Sequence, residues 1–425
     1  MNKGEYSFYG IIKSFSSALD MISSEVIGHH RQTAYLALMI AKEMHINQND
    51  IRNLLTASLI HDIGIFYLNQ TLDDLSFDSK DNHHAIVGYY LVKNSFPIQG
   101  IAEIVRYHHL HWIEYKTYNN TREVPELSNI LFLADRISTL LKGKDILNRS
   151  SYIQKKIKEN SGKLFSPDAV AAFMNLGDKE YFWLTASNNI ALNKTLDDYF
   201  YCCDIILDVE ELISLSKIMS HIIDFRSSFT ATHSDGVASL AEKLGAYIGL
   251  QKKEQKMLKV AGFVHDIGKL AIPLEILNKK GALTSQEWNI MRTHSYYSYY
   301  VLDQSKELGK IKEWASYHHE RLDGTGYPFH LNAEELSVPA RIMAIVDVFT
   351  AITEKRPYRK GMNQEKSLLI LKDMIKNNVL DKDIVNALID NYIDFNTLRK
   401  SVQEKASLEY RNFSKLLEEE LNILK

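Results

Sequence analysis

The stretch His265-Asp266-Ile267-Gly268-Lys269 decides the reading of this chain. It lies within an apolar run, 260–272, whose composition predicts a buried helix. A buried helix rarely carries an adjacent His and Asp with a Lys one turn on. Each of those groups is costly to remove from water unless it is paired or bound. A metal ion would supply the partner. Neighbours on an α-helix point about 100° apart, because the helix has 3.6 residues per turn. His265 and Asp266 can therefore face two ions held side by side, with the carboxylate between them.

Working outward, the same signal occurs a second time. His61-Asp62 is preceded by His29 at a spacing of 32 residues, and His265-Asp266 by His233 at the same spacing. His84 leads His108 by 24 residues, and His294 leads His318 by 24. Both lead into Tyr-His-His, at 107–109 and 317–319, and each copy then reaches an Asp in an apolar helix, Asp135 or Asp347. The agreement continues past the Asp, with FSPDAVAAF at 165–173 beside LDKDIVNAL at 380–388. Self-similarity of this order marks two copies of one domain. Helical periodicity throughout and only 7 prolines in 425 residues predict an all-α fold. The expected organisation is an extension at 1–14, a first helical domain at 15–190, a connector at 191–213, a second domain at 214–397, and an amphipathic helix at 398–425. That last helix packs on its own domain or offers a surface to a homodimer or signalling partner.

Composition narrows the function classes. The apolar fraction of 45% and charged fraction of 24% are those of a globular protein. A net charge of −3, with no long basic run, does not favour duplex nucleic acid. No apolar run reaches the roughly 18–20 residues that span a bilayer, and the N-terminal residues do not read as a signal peptide. The two cysteines, Cys202 and Cys203, are neighbours, which fits a reducing cytoplasm and no disulfide framework. Histidine is abundant, at 16, with four His-His pairs.

The second copy offers His233, His265, Asp266, His294, His318, His319 and Asp347 as metal ligands. Imidazole with carboxylate suits first-row ions. Seven ligands are too many for one tetrahedral ion and about right for two. Two ions roughly 3.5–4 Å apart clamp a phosphoryl group for in-line displacement and make hydroxide available near neutral pH. Lys269 falls at i+4 from His265, on the same helix face, where its ammonium can neutralise a phosphoryl oxygen. The bland alternative is a Lys reaching solvent from a helix end. Gly324 and Gly326 in Asp323-Gly324-Thr325-Gly326-Tyr327-Pro328 predict a tight loop. Tyr327 could stack on a base or be a buried structural Tyr.

HDIGK at 265–269 and HHERLDGTGYP at 318–328 resemble the HD-GYP subgroup of HD-domain metallophosphohydrolases, over a stretch from near Ser214 to near Phe395. The resemblance implies an all-helical domain with two or three divalent metals, often iron or manganese. It implies hydrolysis of cyclic di-GMP to pGpG or GMP by a metal-bridged hydroxide, with cyclic GMP-AMP the substrate of some relatives. It makes the seven residues above the metal ligands, with Asp266 bridging. It also places Lys269 on a substrate phosphate, and the basic run carrying Arg356 and Arg359 on the second phosphate. As bare residues those arginines equally fit a surface charge run. Some members carry an acidic residue one turn before the first His, associated with a third metal. Phe229 stands there, so two ions are expected.

The first copy keeps Glu25, His29, His61, Asp62, His84, His108, His109 and Asp135 as a second candidate ligand set. Its Glu25 is the acidic residue that the second copy lacks. It has Ile65 where Lys269 stands, no Gly-Tyr-Pro loop, and Lys142 and Lys144 in place of the arginines. Three readings compete for it: a metal-bound domain of changed or lost activity, a phosphohydrolase of another substrate, and a domain of buried, hydrogen-bonded histidines. His30, His83 and His111 match nothing in the second copy and read as surface residues or residues behind the ligands. The rivals for the whole chain are a metal- or nucleotide-binding signalling module without hydrolysis, and a hydrolase of other phosphoesters.

Overall fold

A computed structural model describes residues 5–22, 28–68, 82–93, 98–119, 124–141, 145–226, 232–355 and 360–423. Among them the regular structure is helical except for one two-stranded antiparallel pair, Tyr6–Ser7 with Ile206–Leu207, and turns and loops join the helices. Two compact units form. One is Phe15–Ile205, and the other joins Met1–Ser14 to Ile206–Lys425. The division falls at 205/206, inside the expected connector. The helix Asn189–Tyr201 takes up the first part of that connector, with Leu192, Leu196 and Phe200 buried. The expected extension 1–14 holds the first strand and the start of the helix Phe8–Leu19, which buries Phe8, Ile11 and Ile12.

Each unit is built the same way. In the first, the helix His29–Glu43 packs on Gln48–Ile60 and Leu127–Leu140. In the second, His233–Tyr247 packs on Lys252–Val264 and Val338–Thr353. The paired leading helices have equal lengths, 15 residues and then 13 in each unit. Their starts are locally encoded. Asn47 caps one of the shorter helices by accepting from the Asp50 N–H, and Gln251 with Glu254 forms a capping box on the other.

The run 260–272 does not form one helix. The α-helix stops at Val264, His265 and Asp266 lie in a turn, and a 3₁₀ helix covers Ile267–Ala271. The cause is the approach of the helix Thr293–Leu302. A Cβ on Gly268 would lie 2.0 Å from the His294 carbonyl oxygen, and the Gly268 N–H donates to Ser298 Oγ at 3.0 Å. The chain tightens to i→i+3 bonds, Lys269 N–H to the Asp266 carbonyl and Ile272 N–H to that of Lys269. The first unit repeats the close approach, although there a short α-helix, Ile65–Leu68, follows the turn. A Cβ on Gly64 would lie 2.0 Å from the His84 carbonyl oxygen.

The C-terminal helix is longer than expected, Tyr392–Ile423, 32 residues, so 398 is no boundary. It packs on His233–Tyr247 of its own unit. Its buried side carries Phe395, Arg399, Gln403, Ala406 and Leu417, whereas Leu408 is exposed. Arg399 and Gln403 turn inward with the apolar side chains, Arg399 donating to Gln403 and Gln403 to Glu354.

Candidate metal centre

In the C-terminal unit the seven sequence-predicted ligands converge. His233 opens its helix, His265 and Asp266 occupy the turn after Val264, and His294 sits in the first turn of Thr293–Leu302. His318 and His319 lie in a turn just past the helix Gly309–Ser316, not on a helix. Asp347 projects from the middle of Val338–Thr353. His233, His265 and Asp347 bring ligand atoms within 4.8 Å of one another, and so do His294, His318 and His319. Asp266 lies between the two sets. Its Oδ2 is 3.2 Å from His265 Nε2, and its Oδ1 is 3.5 Å from His294 Nε2 and 3.9 Å from His318 Nε2.

The proton positions fit cations. Nδ1–H donates to a backbone carbonyl in His265 (Gly262, 2.8 Å), His294 (Met291, 2.7 Å) and His318 (Ala315, 2.6 Å). That fixes a bare Nε2 lone pair on each neutral ring, the form a metal ligand needs. The His294 and His318 Nε2 atoms face each other at 3.4 Å, with the Ser295 hydroxyl 3.2 Å from the first. Two converging lone pairs at that distance repel unless a cation lies between them. His265 Nε2 and Asp266 Oδ1 are buried and make no hydrogen bond among the described residues. A divalent ion satisfies both.

Electrostatics keep the donors in ligating form. Burial, with help from neighbouring imidazoles, lowers His294 to about 3 and holds His318 well below its usual range. Burial likewise lowers His319 to about 4. For Asp266 burial works upward, but His265, Lys269 and His294 outweigh it and hold the carboxyl well below its usual range. Asp347 behaves in the same way through His233 and the neighbouring imidazoles. His233 is the exception. Burial pulls it down, yet Glu354 and Asp347 push it up to about 10. Sequence reasoning missed Glu354. Its carboxylate oxygens lie 3.1 and 3.2 Å from His233 Nδ1, and it accepts from Gln403 Nε2 at 3.0 Å.

Lys269 is not on an α-helical face with His265. The 3₁₀ turn puts it three residues from Asp266, and the two side chains form an ion pair. At 18% exposed, Lys269 marks one open edge of an otherwise buried cluster, and His319, at 29%, marks another. Tyr327 lies beside His319, ring centroids 4.8 Å apart, and the exposed Trp288 meets it edge-on at 5.9 Å. The loop that delivers Tyr327 depends on Gly326, where a Cβ would come within 2.5 Å of Glu320 and Arg321 backbone atoms. The buried Glu320, also passed over in the sequence, accepts from the Phe329 and Leu331 N–H groups and pins the same loop. Phe229, Arg356 and Arg359 lie outside the described residues, as do Glu25, Lys142 and Lys144.

The N-terminal unit gathers its ligands in the same pattern. His29 Nε2 is 3.1 Å from Asp135 Oδ1, matching His233 and Asp347 at 3.1 Å. His61 Nε2 is 3.2 Å from Asp62 Oδ2, and His84 Nε2 is 3.5 Å from Asp62 Oδ1. Burial works against charge on His61, but Asp62 and Asp135 raise it to about 9, while burial lowers His108 to about 3. His30 is not a surface residue. It is buried, its Nδ1 bonds Asp20 at 2.6 Å, and its Nε2 lies 3.6 Å from Asp62 Oδ2. His83 is half-buried, and His111 stacks on Phe132.

Comparison with known proteins agrees with this duplication. A family model described as HD domain matches residues 26–140, and a second model of the same description matches 217–384. The 3′3′-cGAMP-specific phosphodiesterase 1 of Vibrio cholerae is 32% identical over 393 residues, 88% of this chain and 89% of that protein. A cyclic di-GMP phosphodiesterase of Pseudomonas aeruginosa is 39% identical over 141 residues, 33% of this chain and 34% of its own length. The crystal structure of the V. cholerae cyclic GMP-AMP-specific phosphodiesterase V-cGAP3 shares the fold, with a TM-score of 0.63 at 21% identity over 91% of this chain and 97% of that one. No helix among the described residues is long and apolar enough to cross a membrane. The chain belongs to the HD-GYP family of HD-domain metallophosphohydrolases, with two HD domains in tandem, and is a metal-dependent phosphodiesterase.

Proposed function

We propose that the C-terminal domain hydrolyses a 3′,3′-cyclic dinucleotide, with cyclic GMP-AMP as the preferred substrate. The observation that carries the reading is the pairing of a complete seven-ligand centre with Lys269 and Tyr327 at its open edge. The N-terminal copy has neither the Lys nor the loop. A module that only bound metal would have no physical need for them. The choice of cyclic GMP-AMP is supported by the V. cholerae relative that matches across both domains. The sequence-based expectation of cyclic di-GMP becomes the second reading, supported by the P. aeruginosa relative that matches about a third of the chain at higher identity.

His233, His265 and Asp347 would hold one ion, and His294, His318 and His319 the other, with Asp266 shared between them. Bound there, the pair supplies Lewis-acid polarisation of the phosphoryl group and lowers the pKa of water. Iron or manganese suits this donor set. The protein residues do the rest. The Gly262, Met291 and Ala315 carbonyls hold three imidazoles in the ligating tautomer, and Glu354 orients His233. Lys269, held in place by Asp266, offsets charge on a phosphoryl oxygen as phosphorus is attacked. Tyr327 and Trp288 offer aromatic surface for a base. Water adds to phosphorus, the bond to the ribose 3′-oxygen breaks, and a linear dinucleotide with a 5′-phosphate leaves. We assign Arg356 and Arg359 to the second phosphate.

The test is turnover by the purified full chain with Mn²⁺ or anaerobic Fe²⁺, offered cyclic GMP-AMP, cyclic di-GMP and a simple phosphodiester in parallel. Cyclic GMP-AMP should be consumed fastest, and Asp266→Ala should lose several orders of magnitude while remaining folded. Faster turnover of cyclic di-GMP would favour the second reading. No turnover of any cyclic dinucleotide under reducing, metal-replete conditions would sink both.

A further inference from the structure

We propose that the N-terminal HD domain is a one-ion centre, in which Arg136 takes the place of a second metal ion. The two domains differ at the residue after the helical Asp. It is Val348 after Asp347 and Arg136 after Asp135. Arg136 is 1% exposed, and its Nη2 lies 3.0 Å from His109 Nδ1 and 3.2 Å from Asp135 Oδ2. In the C-terminal domain the matching atoms, His319 Nδ1 and Asp347 Oδ2, are 3.9 Å apart, and no side chain bridges them among the described residues.

A guanidinium only donates and keeps its charge at any ordinary pH. His109 Nδ1 is therefore an acceptor, and the proton of this neutral ring sits on Nε2. That Nε2–H points at His84 Nε2, 3.0 Å away. The result is a hydrogen-bonded chain, Arg136 to His109 to His84. His84, His108 and His109 have the spacing of a metal triad. Their proton bookkeeping differs from that of the C-terminal triad. His108 keeps a bare Nε2 3.3 Å from His84 Nε2, as His318 does toward His294. But His109 has no lone pair free to turn inward, and its Nε2–H occupies the His84 lone pair, which relieves that close approach without a second ion.

The other set is not blocked and is enlarged. His29, His61, Asp62 and Asp135 keep the geometry of their C-terminal counterparts. His30 joins them, where the C-terminal domain has Ser234. Its Nδ1–H donates to Asp20, and its buried Nε2 makes no hydrogen bond among the described residues. A carboxylate behind an imidazole whose far nitrogen is bare is the arrangement of a ligating histidine. One divalent first-row ion on His29, His30, His61, Asp62 and Asp135 satisfies these groups. The two-ion clamp for phosphoryl transfer is then missing from this domain.

The inference rests on the C-terminal domain holding two ions, and the test separates the two domains by using N-terminal variants alone. The full chain is reconstituted with Mn²⁺, desalted, and its bound metal is counted by mass spectrometry. Its low-temperature electron paramagnetic resonance spectrum is recorded alongside. Wild type should hold three ions, one of them giving an isolated six-line Mn²⁺ signal. Arg136→Val should add one ion and convert the isolated signal to a coupled one. His30→Ala should remove the isolated signal or weaken its ion at least tenfold. His84→Gln should leave the count unchanged. Four ions in wild type, absence of an isolated signal, or loss of an ion in His84→Gln would each overturn the proposal. So would an unchanged count in a folded Arg136→Val. If Arg136→Val does not fold, the wild-type spectrum and His84→Gln decide.

Discussion

Gly268 sets the distance between His265-Asp266 and the helix that carries His294. Its missing side chain lets the His294 carbonyl come where a Cβ would be 2.0 Å away, and Gly64 does the same for His84. Backbone cannot yield as a flexible side chain can. Gly268→Ala should therefore push the turn off the helix, at a cost of about 1–3 kcal/mol from overpacking, and separate Asp266 from His294. The expected outcome is a lower melting temperature together with loss of bound metal from the C-terminal domain, read by calorimetry and metal counting on the same sample. Wild-type melting with full metal content would show that the contact is not limiting. This residue was hard to see in the sequence. A run of apolar residues around His265 reads as continuous helix, and in that reading Lys269 matters through its i+4 spacing. The close approach that forces a 3₁₀ turn is a tertiary event, invisible to periodicity, and it places Lys269 on Asp266 instead.

Two elements meet behind His233. The helix Val338–Thr353 ends just before Glu354, and the long helix Tyr392–Ile423 brings Gln403 to the same carboxylate. Gln403 Nε2 also donates to the Thr232 carbonyl, next to the ligand. Asp347 was legible because an Asp inside an apolar helix stands out. Glu354 was not, because it lies past the helix end among charged residues, and Gln403 is 49 positions further on. The carboxylate fixes the His233 ring and would make it a more basic donor to a metal ion. Glu354→Gln keeps an acceptor but removes the charge, so it should weaken metal binding roughly 10–100-fold, the usual effect of losing such a partner. Gln403→Ala should have a smaller effect in the same direction, since it loosens Glu354 without discharging it. Metal titration of the two variants checks the order. Equal affinity in Glu354→Gln and wild type would remove Glu354 from the centre.

At the scale of the whole chain, duplication was the most legible feature, because ligand spacings of 32 and 24 residues recur intact. The unit boundary was less so. The N-terminal strand Tyr6–Ser7 pairs with Ile206–Leu207, a long-range pairing of two residues that no local pattern announces. Both units bury several imidazoles and at least two carboxylates at one point. Such clusters leave lone pairs and charge without compensation unless a cation is present. Metal binding should then be part of folding stability in each unit. An ion present at about 100 times its dissociation constant adds about 2.7 kcal/mol. For domains of this size that is a shift of about 5–10 °C in melting temperature. Exhaustive chelation should therefore lower the calorimetric transitions of both units, and adding back Mn²⁺ should restore them. A transition that does not move would identify a unit whose histidines are held by hydrogen bonds alone. For the N-terminal unit the predicted shift is the smaller one, because Arg136 already supplies one of its cations from the chain itself.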